Sequence, residues 1–208
     1  CMDLAGGGRI LLPRVFGFCA GVVRALQLLS RTLTPGPQGR TILLGPIIHN
    51  DTVNDAFQRQ GVQVLPEDSI TRIFEVAHPG DTVVIPAFGV PADLEQRLHE
   101  ELSDCRILDT TCNDVRASWQ FIAAGQPGGI VVVHGKPDHP ETRATLSRAL
   151  AIASRTVIIA SPEEAPSLCR CLTTGQWEGF ASGRVFDGGG VTECRRSLTV
   201  VNQTTMLH

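Results

Sequence analysis

The residues able to do chemistry in this chain stand just after short aliphatic runs. Cys19 lies between glycines in Gly17-Phe18-Cys19-Ala20-Gly21, where a helix with its apolar spacing begins and the macrodipole favours a thiolate and hence metal ligation. Cys112 closes Asp109-Thr110-Thr111-Cys112 behind the apolar pair Ile107-Leu108. Each alone reads more readily as an inert buried thiol; two at equivalent positions favour a shared ligand role. His49 precedes Asn50-Asp51, so an anion there would meet an imidazole and the free N–H groups of a helix start, although a capping or surface histidine has the same pattern. His139-Pro140-Glu141 sets an imidazole and an acid at another helix mouth, and His134-Gly135-Lys136 adds donor or cationic groups to the same stretch. Glu141 also reads as a first-turn glutamate answering a helix dipole. Thr204 and Thr205 supply hydroxyls, or merely fill a sheet edge. Cys169, Cys171 and Cys194 are expected to be structural, because Cys-x-Cys is tighter than the usual zinc spacing, and His78 and His99 to be solvated.

The elements that must position these groups alternate. Strands are expected at 9–12, 41–44, 62–65, 82–85, 106–108, 130–133, 156–159 and 198–201, and helices at 20–33, 51–60, 92–102 and 115–124. Val22, Ala25, Leu26, Leu29 and Leu33 fall on one helical face. Asn50-Asp51 is a cap signal, Pro91 suits a first helical turn, and Asp114 is expected to cap the helix after Cys112. The alternation predicts an α/β fold of parallel βαβ units, and runs such as Ile130-Val131-Val132-Val133 predict strands covered on both faces. Two small parallel-sheet α/β domains around a central site are expected, 1–111 with Cys19 and His49, and 112–208 with His139, Glu141 and Thr204. In such sheets ligands bind beyond the carboxyl ends of the strands, which is where the reactive residues fall. Gly188-Gly189-Gly190 is expected to be a loop.

Composition narrows the classes. The chain has 208 residues, 42% hydrophobic and 19% charged, with net charge -3, which excludes a disordered chain and a basic nucleic-acid-binding arm. Its 18 basic residues comprise Lys136 and 17 arginines, planar forks suited to carboxylates or phosphates. Seven scattered cysteines make a poor disulfide framework and suit reduced thiols, ligands or redox groups in the cytoplasm. No apolar run is long enough to span a membrane, and the start CMDLAGGG lacks signal-peptide features. Cys1 ahead of Met2, and an end at His208 just after an apolar run, read as cut ends.

In order, Gly17-Phe18-Cys19-Ala20-Gly21-Val22, Ile48-His49-Asn50, Asp109-Thr110-Thr111-Cys112, His139-Pro140-Glu141 and Gln203-Thr204-Thr205 resemble the motifs of the 4-hydroxy-3-methylbut-2-enyl diphosphate reductases, the IspH/LytB family, over nearly the whole chain. The resemblance implies a three-lobed α/β protein around a [4Fe-4S] cluster, of which this chain carries the first two lobes. It implies reductive dehydroxylation of an allylic diphosphate to isopentenyl and dimethylallyl diphosphate in the methylerythritol phosphate pathway. Cys19 and Cys112 would be two of three cluster thiolates, the third lying beyond His208. His49, His139, Thr205 and His134 would bind the substrate, and Glu141 with Thr204 would deliver a proton. Ferredoxin or flavodoxin would supply electrons, since no flavin or nicotinamide motif is visible. One departure stands out: most of the family has Ala-His-Gly where this chain has Ala87-Phe88-Gly89. Two other readings follow from the same residues, a catalytically inactive phosphate-binding or scaffold relative, and a zinc protein using Cys19, His49, Cys112 and His139.

Overall fold

The computed structural model describes residues 2–3, 6–11, 17–34, 39–188 and 197–206. Its elements run β1 (Met2–Asp3), β2 (Arg9–Ile10), α1 (Ala20–Leu33), β3 (Thr41–Leu44), α2 (Asp51–Arg59), β4 (Gln63–Leu65), α3 (Ile73–Val76), β5 (Thr82–Ile85), α4 (Ala92–Glu101), β6 (Arg106–Asp109), α5 (Asn113–Ala123), β7 (Ile130–His134), α6 (Pro140–Leu150), β8 (Arg155–Ile159), α7 (Ala165–Thr174), β9 (Arg184–Asp187) and β10 (Leu198–Asn202). Glu67–Arg72 and Pro162–Glu164 are 3-10 turns.

Two four-stranded sheets carry the architecture. The first has the order β4-β3-β5-β6 with every pair parallel. Its central strands read as unbroken apolar runs because both faces are covered. Leu43 and Val84 pack with Ala25 and Leu29 of α1 and Phe57 of α2 on one side, and Ile42, Val83 and Ile85 pack with Leu94 and Leu98 of α4 on the other. The second sheet has the order β10-β7-β8-β9, parallel except for the β8–β9 pair. Val131, Val133 and Ile158 meet Ile122 of α5 and Ala149 of α6, while Val132 and Val157 meet Leu168 of α7. Each such aliphatic side chain contributes roughly 1.5–3 kcal/mol on full burial.

Three expectations need correction. The first candidate strand joins neither parallel sheet: Arg9–Ile10 pairs antiparallel with Met2–Asp3, Arg9 and Ile10 are exposed, and Leu12 lies outside the described residues. An unexpected antiparallel strand, β9, closes the second sheet. The helix after Cys112 starts two residues earlier than its acidic cap signal suggested, so that Cys112 is the N-cap residue and Asp114 sits in the first turn. Gly189, Gly190 and Cys194 lie outside the described residues.

The C-terminal half of α6 is fastened to the loop that follows β5 of the first sheet. Ala92 N–H donates to Ser147 Oγ at 2.9 Å, and Arg148 donates to Val90 O at 2.8 Å while pairing with Glu95. The Arg148 guanidinium covers the Trp119 ring at 3.4 Å, a cation–π contact that strengthens with desolvation. Trp119 lies so close to Gly89, at φ 74°, that a Cβ there would collide with its ring. These contacts fix how the two sets of strand ends face each other.

Candidate functional site

Cys19 and Cys112 are the N-cap residues of α1 and α5, both with extended backbone and neither using its side chain as a cap. The Cys112 loop is tied to the first sheet, with Cys112 N–H donating to Ala87 O at 2.9 Å and Thr110 Oγ1 to Ile85 O at 2.6 Å. Arg24 of α1 donates to Thr111 O at 3.2 Å and so fastens the first helix to that loop. Between the two cysteines lies Gly21. A Cβ there would collide with Cys112 Sγ and would sit 3.9 Å from Cys19 Sγ. Two thiols 93 positions apart in the chain therefore flank one point.

His49 stands in the β3–α2 loop, which Asn54 clasps from within α2: Asn54 Oδ1 accepts from Ile47 N–H at 3.0 Å and Nδ2 donates to Ile48 O at 2.8 Å. Asn50 caps the helix by accepting from Val53 N–H at 3.1 Å. His139 caps α6, its Nδ1 accepting from Glu141 N–H at 3.2 Å, and its Nε2 lies 2.9 Å from Nε2 of His49. Burial, aided by the charges of His49 and Lys136, holds His139 at a pKa of about 4.

Glu141 is 1% exposed, an unusual place for an acid. Its Oε1 accepts from Thr204 N–H at 2.5 Å and its Oε2 from Thr204 Oγ1 at 2.8 Å. Burial raises its pKa, and the two bonds from Thr204 oppose that rise without cancelling it. Gln203, also buried, organises the neighbouring turn: Oε1 accepts from Lys136 N–H at 3.0 Å and Thr142 Oγ1 at 3.1 Å, and Nε2 donates to Thr205 Oγ1.

These groups line two adjoining cavities. One of about 400 Å³ is bordered by Cys19, Cys112, His49, Phe88, Asp114 and Thr204; another of about 420 Å³ by His49, Lys136, His139, Gln203, Thr205 and Met206. His49 and Thr205 border both. Six of the eight expected site residues thus border one crevice, and buried Glu141 reaches it through Thr204. His134 does not border either cavity: it is the last residue of β7, paired on both sides, and its Nε2 is buried without a hydrogen-bond partner among the described residues. Gln203 and Gly21 stood in the sequence only as members of their motifs, with no role assigned, and Asn54 was not singled out. The hint for Asn54 was an amide within an otherwise apolar helical face beside Val53 and Phe57.

No group of three or more His, Cys, Asp and Glu side chains is placed to hold a metal ion among the described residues. Two thiols flanking one bare glycine, beside a roomy cavity, fit an iron–sulfur cluster in donor chemistry as two of its ligands.

The fold and site define an α/β protein that aims paired thiols, two imidazoles and a buried acid from separate sheets into one crevice. The chain belongs to the LytB protein family, whose profile matches residues 10–208. It is similar to a 4-hydroxy-3-methylbut-2-enyl diphosphate reductase of a Synechococcus species, 33% identical over 206 residues, covering 95% of this chain and 50% of the relative. The enzyme of that name from Thermosynechococcus vestitus is 35% identical over 171 residues, covering 82% of this chain and 41% of the relative. A solved (E)-4-hydroxy-3-methyl-but-2-enyl diphosphate reductase superposes with TM-score 0.62 at 25% identity, over 92% of this chain and 56% of that one. The reductase of Plasmodium falciparum, at 19% identity and TM-score 0.61, shares the fold. The chain spans about half the length of the curated relatives it matches. No helix among the described residues is long and apolar enough to cross a membrane.

Proposed function

We propose that residues 1–111 and 112–208 are two lobes of a 4-hydroxy-3-methylbut-2-enyl diphosphate reductase, which removes the allylic hydroxyl to give isopentenyl and dimethylallyl diphosphate. The observation that carries this reading is that Cys19 and Cys112 flank the single point at Gly21 on the crevice that also receives Thr204 and His49. When bound, a [4Fe-4S] cluster held by Cys19, Cys112 and a thiolate from outside these 208 residues supplies two electrons and a Lewis-acidic iron. Ferredoxin or flavodoxin in the cytoplasm provides those electrons. His49, His139 and Thr205 hold the diphosphate, with the cationic Lys136 beside them. Glu141 keeps its proton more readily than an exposed glutamate because it is buried, and Thr204 Oγ1, bonded to it at 2.8 Å, carries that proton to the departing hydroxyl, which leaves as water; a second proton, from solvent, on an allylic carbon completes the two-electron reduction. Phe88 and Val22 keep water from the crevice wall. His134 has no part in this set.

The test is anaerobic reconstitution of the full-length protein with iron and sulfide, followed by turnover with a reduced dye. Formation of both isoprenoid diphosphates is expected; a colourless product without turnover would remove the reading. Phe88, an apolar ring where the family carries an imidazole, favours one second reading, an inactive relative that binds diphosphate alone. In that case inorganic pyrophosphate binds metal-free protein as tightly as protein reconstituted with iron and sulfide.

A further inference from the structure

Phe88 is 6% exposed. Its ring stacks on His49 with centroids 4.2 Å apart and planes at 23°, and it meets His139 edge-on at 5.4 Å. The two imidazoles are themselves edge-on at 4.8 Å, with 2.9 Å between their Nε2 atoms. A bond between two ring nitrogens holds one proton, so one ring donates and the other accepts. The Glu141 backbone decides which: its N–H donates to His139 Nδ1, so that nitrogen is bare and a neutral His139 carries its proton on Nε2. His139 is therefore the donor. His49 accepts through Nε2, and its own proton sits on Nδ1.

In this arrangement the pair spends its crevice-side donor on itself. The lone pair of His49 Nε2 repels an anion instead of binding it. The charged and titratable groups around the pair are Lys136 from the β7–α6 loop, Cys19, Cys112 and Asp114 across the crevice, Glu141, whose carboxylate is turned to Thr204, and Arg143 and Glu67, which line the cavity on the other side of Phe88. Phe88, Gln203, Thr205 and Met206 complete the surround without charge. The Phe88 ring offers neither Nε2 a polar partner, so among protein groups each imidazole has the other, while His49, which is exposed, also meets water. Depression of the His139 pKa to about 4 agrees with that ring staying neutral.

Resting on the diphosphate-binding reading above, we infer that Phe88 is a positioning residue that locks His49 and His139 into a mutual hydrogen bond, and that a diphosphate entering the crevice opens the pair by taking up one proton from solvent onto His49 Nε2. The Nε2–H···Nε2 bond breaks, and both rings then donate to the anion. An imidazole at 88 would instead supply a ready donor and release the pair.

The experiment uses the full metal-free chain, inorganic pyrophosphate as the probe, and variants Phe88→His and Phe88→Leu. Nitrogen-15 spectra of histidine-labelled protein report each tautomer, with signals assigned through His49→Gln and His139→Gln. Calorimetry in buffers of different ionisation enthalpy counts protons, and comparison between variants cancels the protonation of pyrophosphate itself. The expected wild-type result is His49 protonated on Nδ1 and His139 on Nε2 in the free protein, His49 becoming imidazolium on binding, and one proton more taken up than by Phe88→His. Phe88→His should bind about tenfold more tightly at pH 8, as one added charge-assisted hydrogen bond implies. Phe88→Leu, which removes the stack and adds no donor, should free the His49 tautomer, while the Glu141 N–H still keeps His139 protonated on Nε2. The inference is overturned if free His49 carries its proton on Nε2, or if Phe88→Leu keeps the wild-type His49 tautomer and proton count. Binding without proton uptake sinks this inference alone, whereas no pyrophosphate binding at any pH by wild type or Phe88→His sinks the diphosphate reading with it.

Discussion

Replacing Glu141 separates its burial from its charge. In Glu141→Ala, Thr204 N–H and Oγ1–H lose their acceptors and a nearly sealed side chain leaves a void. Thr204 is itself exposed, so water can recover part of its bonding. We work the cost as about 1 kcal/mol for each weakened bond and about 1 kcal/mol for the void, together about 2–3 kcal/mol. For a chain of this size that lowers Tm by roughly 5–10 °C. Glu141→Gln behaves differently, because its carbonyl can accept from Thr204 N–H and its amide can donate to Thr204 Oγ1. Burial raises the Glu141 pKa, so its contribution to stability is full below the unfolded-state value and is lost as pH rises through the folded one. Glu141→Gln should therefore equal wild type near pH 4 and exceed it at pH 8. Urea and thermal unfolding at pH 4, 6 and 8 measure both variants. If Glu141→Gln is destabilised at pH 8 as much as Glu141→Ala, the ionised carboxylate is a stabilising group and the argument for a proton-holding acid fails.

Two further outcomes follow from the same reasoning. Asp81, 3% exposed, accepts from Arg40 N–H at 2.8 Å, Arg40 Nη2 at 2.6 Å and His78 N–H at 2.8 Å, and chiefly the Arg40 bond holds its pKa at about 2. Asp81→Ala should cost about 2 kcal/mol in urea unfolding near pH 7, discounted because the Arg40 side chain is 39% exposed, and the contribution of Asp81 should fade as pH falls from 3.8 through about 2. Gly21→Ala would ordinarily favour a helix by up to about 1 kcal/mol; here its methyl collides with Cys112 Sγ, so circular dichroism should show an intact fold while reconstituted iron is lost.

The parts legible in the sequence are those that depend on local pattern. Val83-Val84 and Val131-Val132 announce covered strands, Ala25 and Leu29 announce the buried stripe of α1, and reactive residues at strand ends announce the crevice because parallel topology sends all those ends one way. What depends on long-range pairing was hidden. Arg184–Asp187 has only Val185 and Phe186 to mark it and becomes a strand by pairing with β8. His134 reads as a loop residue until β7 is seen to continue through it, with Asn202 and Ile159 as neighbours. The work of Gly21 is set by Cys112, far away in the chain, and the stack of Phe88 on His49 requires two loops of the first sheet to converge. Gln203 hides for a similar reason: its partners Lys136 and Thr142 belong to a different βαβ unit.

The central claim is that Cys19 and Cys112 serve one ligand, and a short bis-alkylating thiol reagent tests it most directly on the full chain. Peptide mass spectrometry of the metal-free protein should find Cys19 linked to Cys112 as the dominant product, and prior loading with iron and sulfide should suppress that link. Single modification of each, with links running instead to Cys105 or Cys169 and no protection by the cluster, would contradict the account.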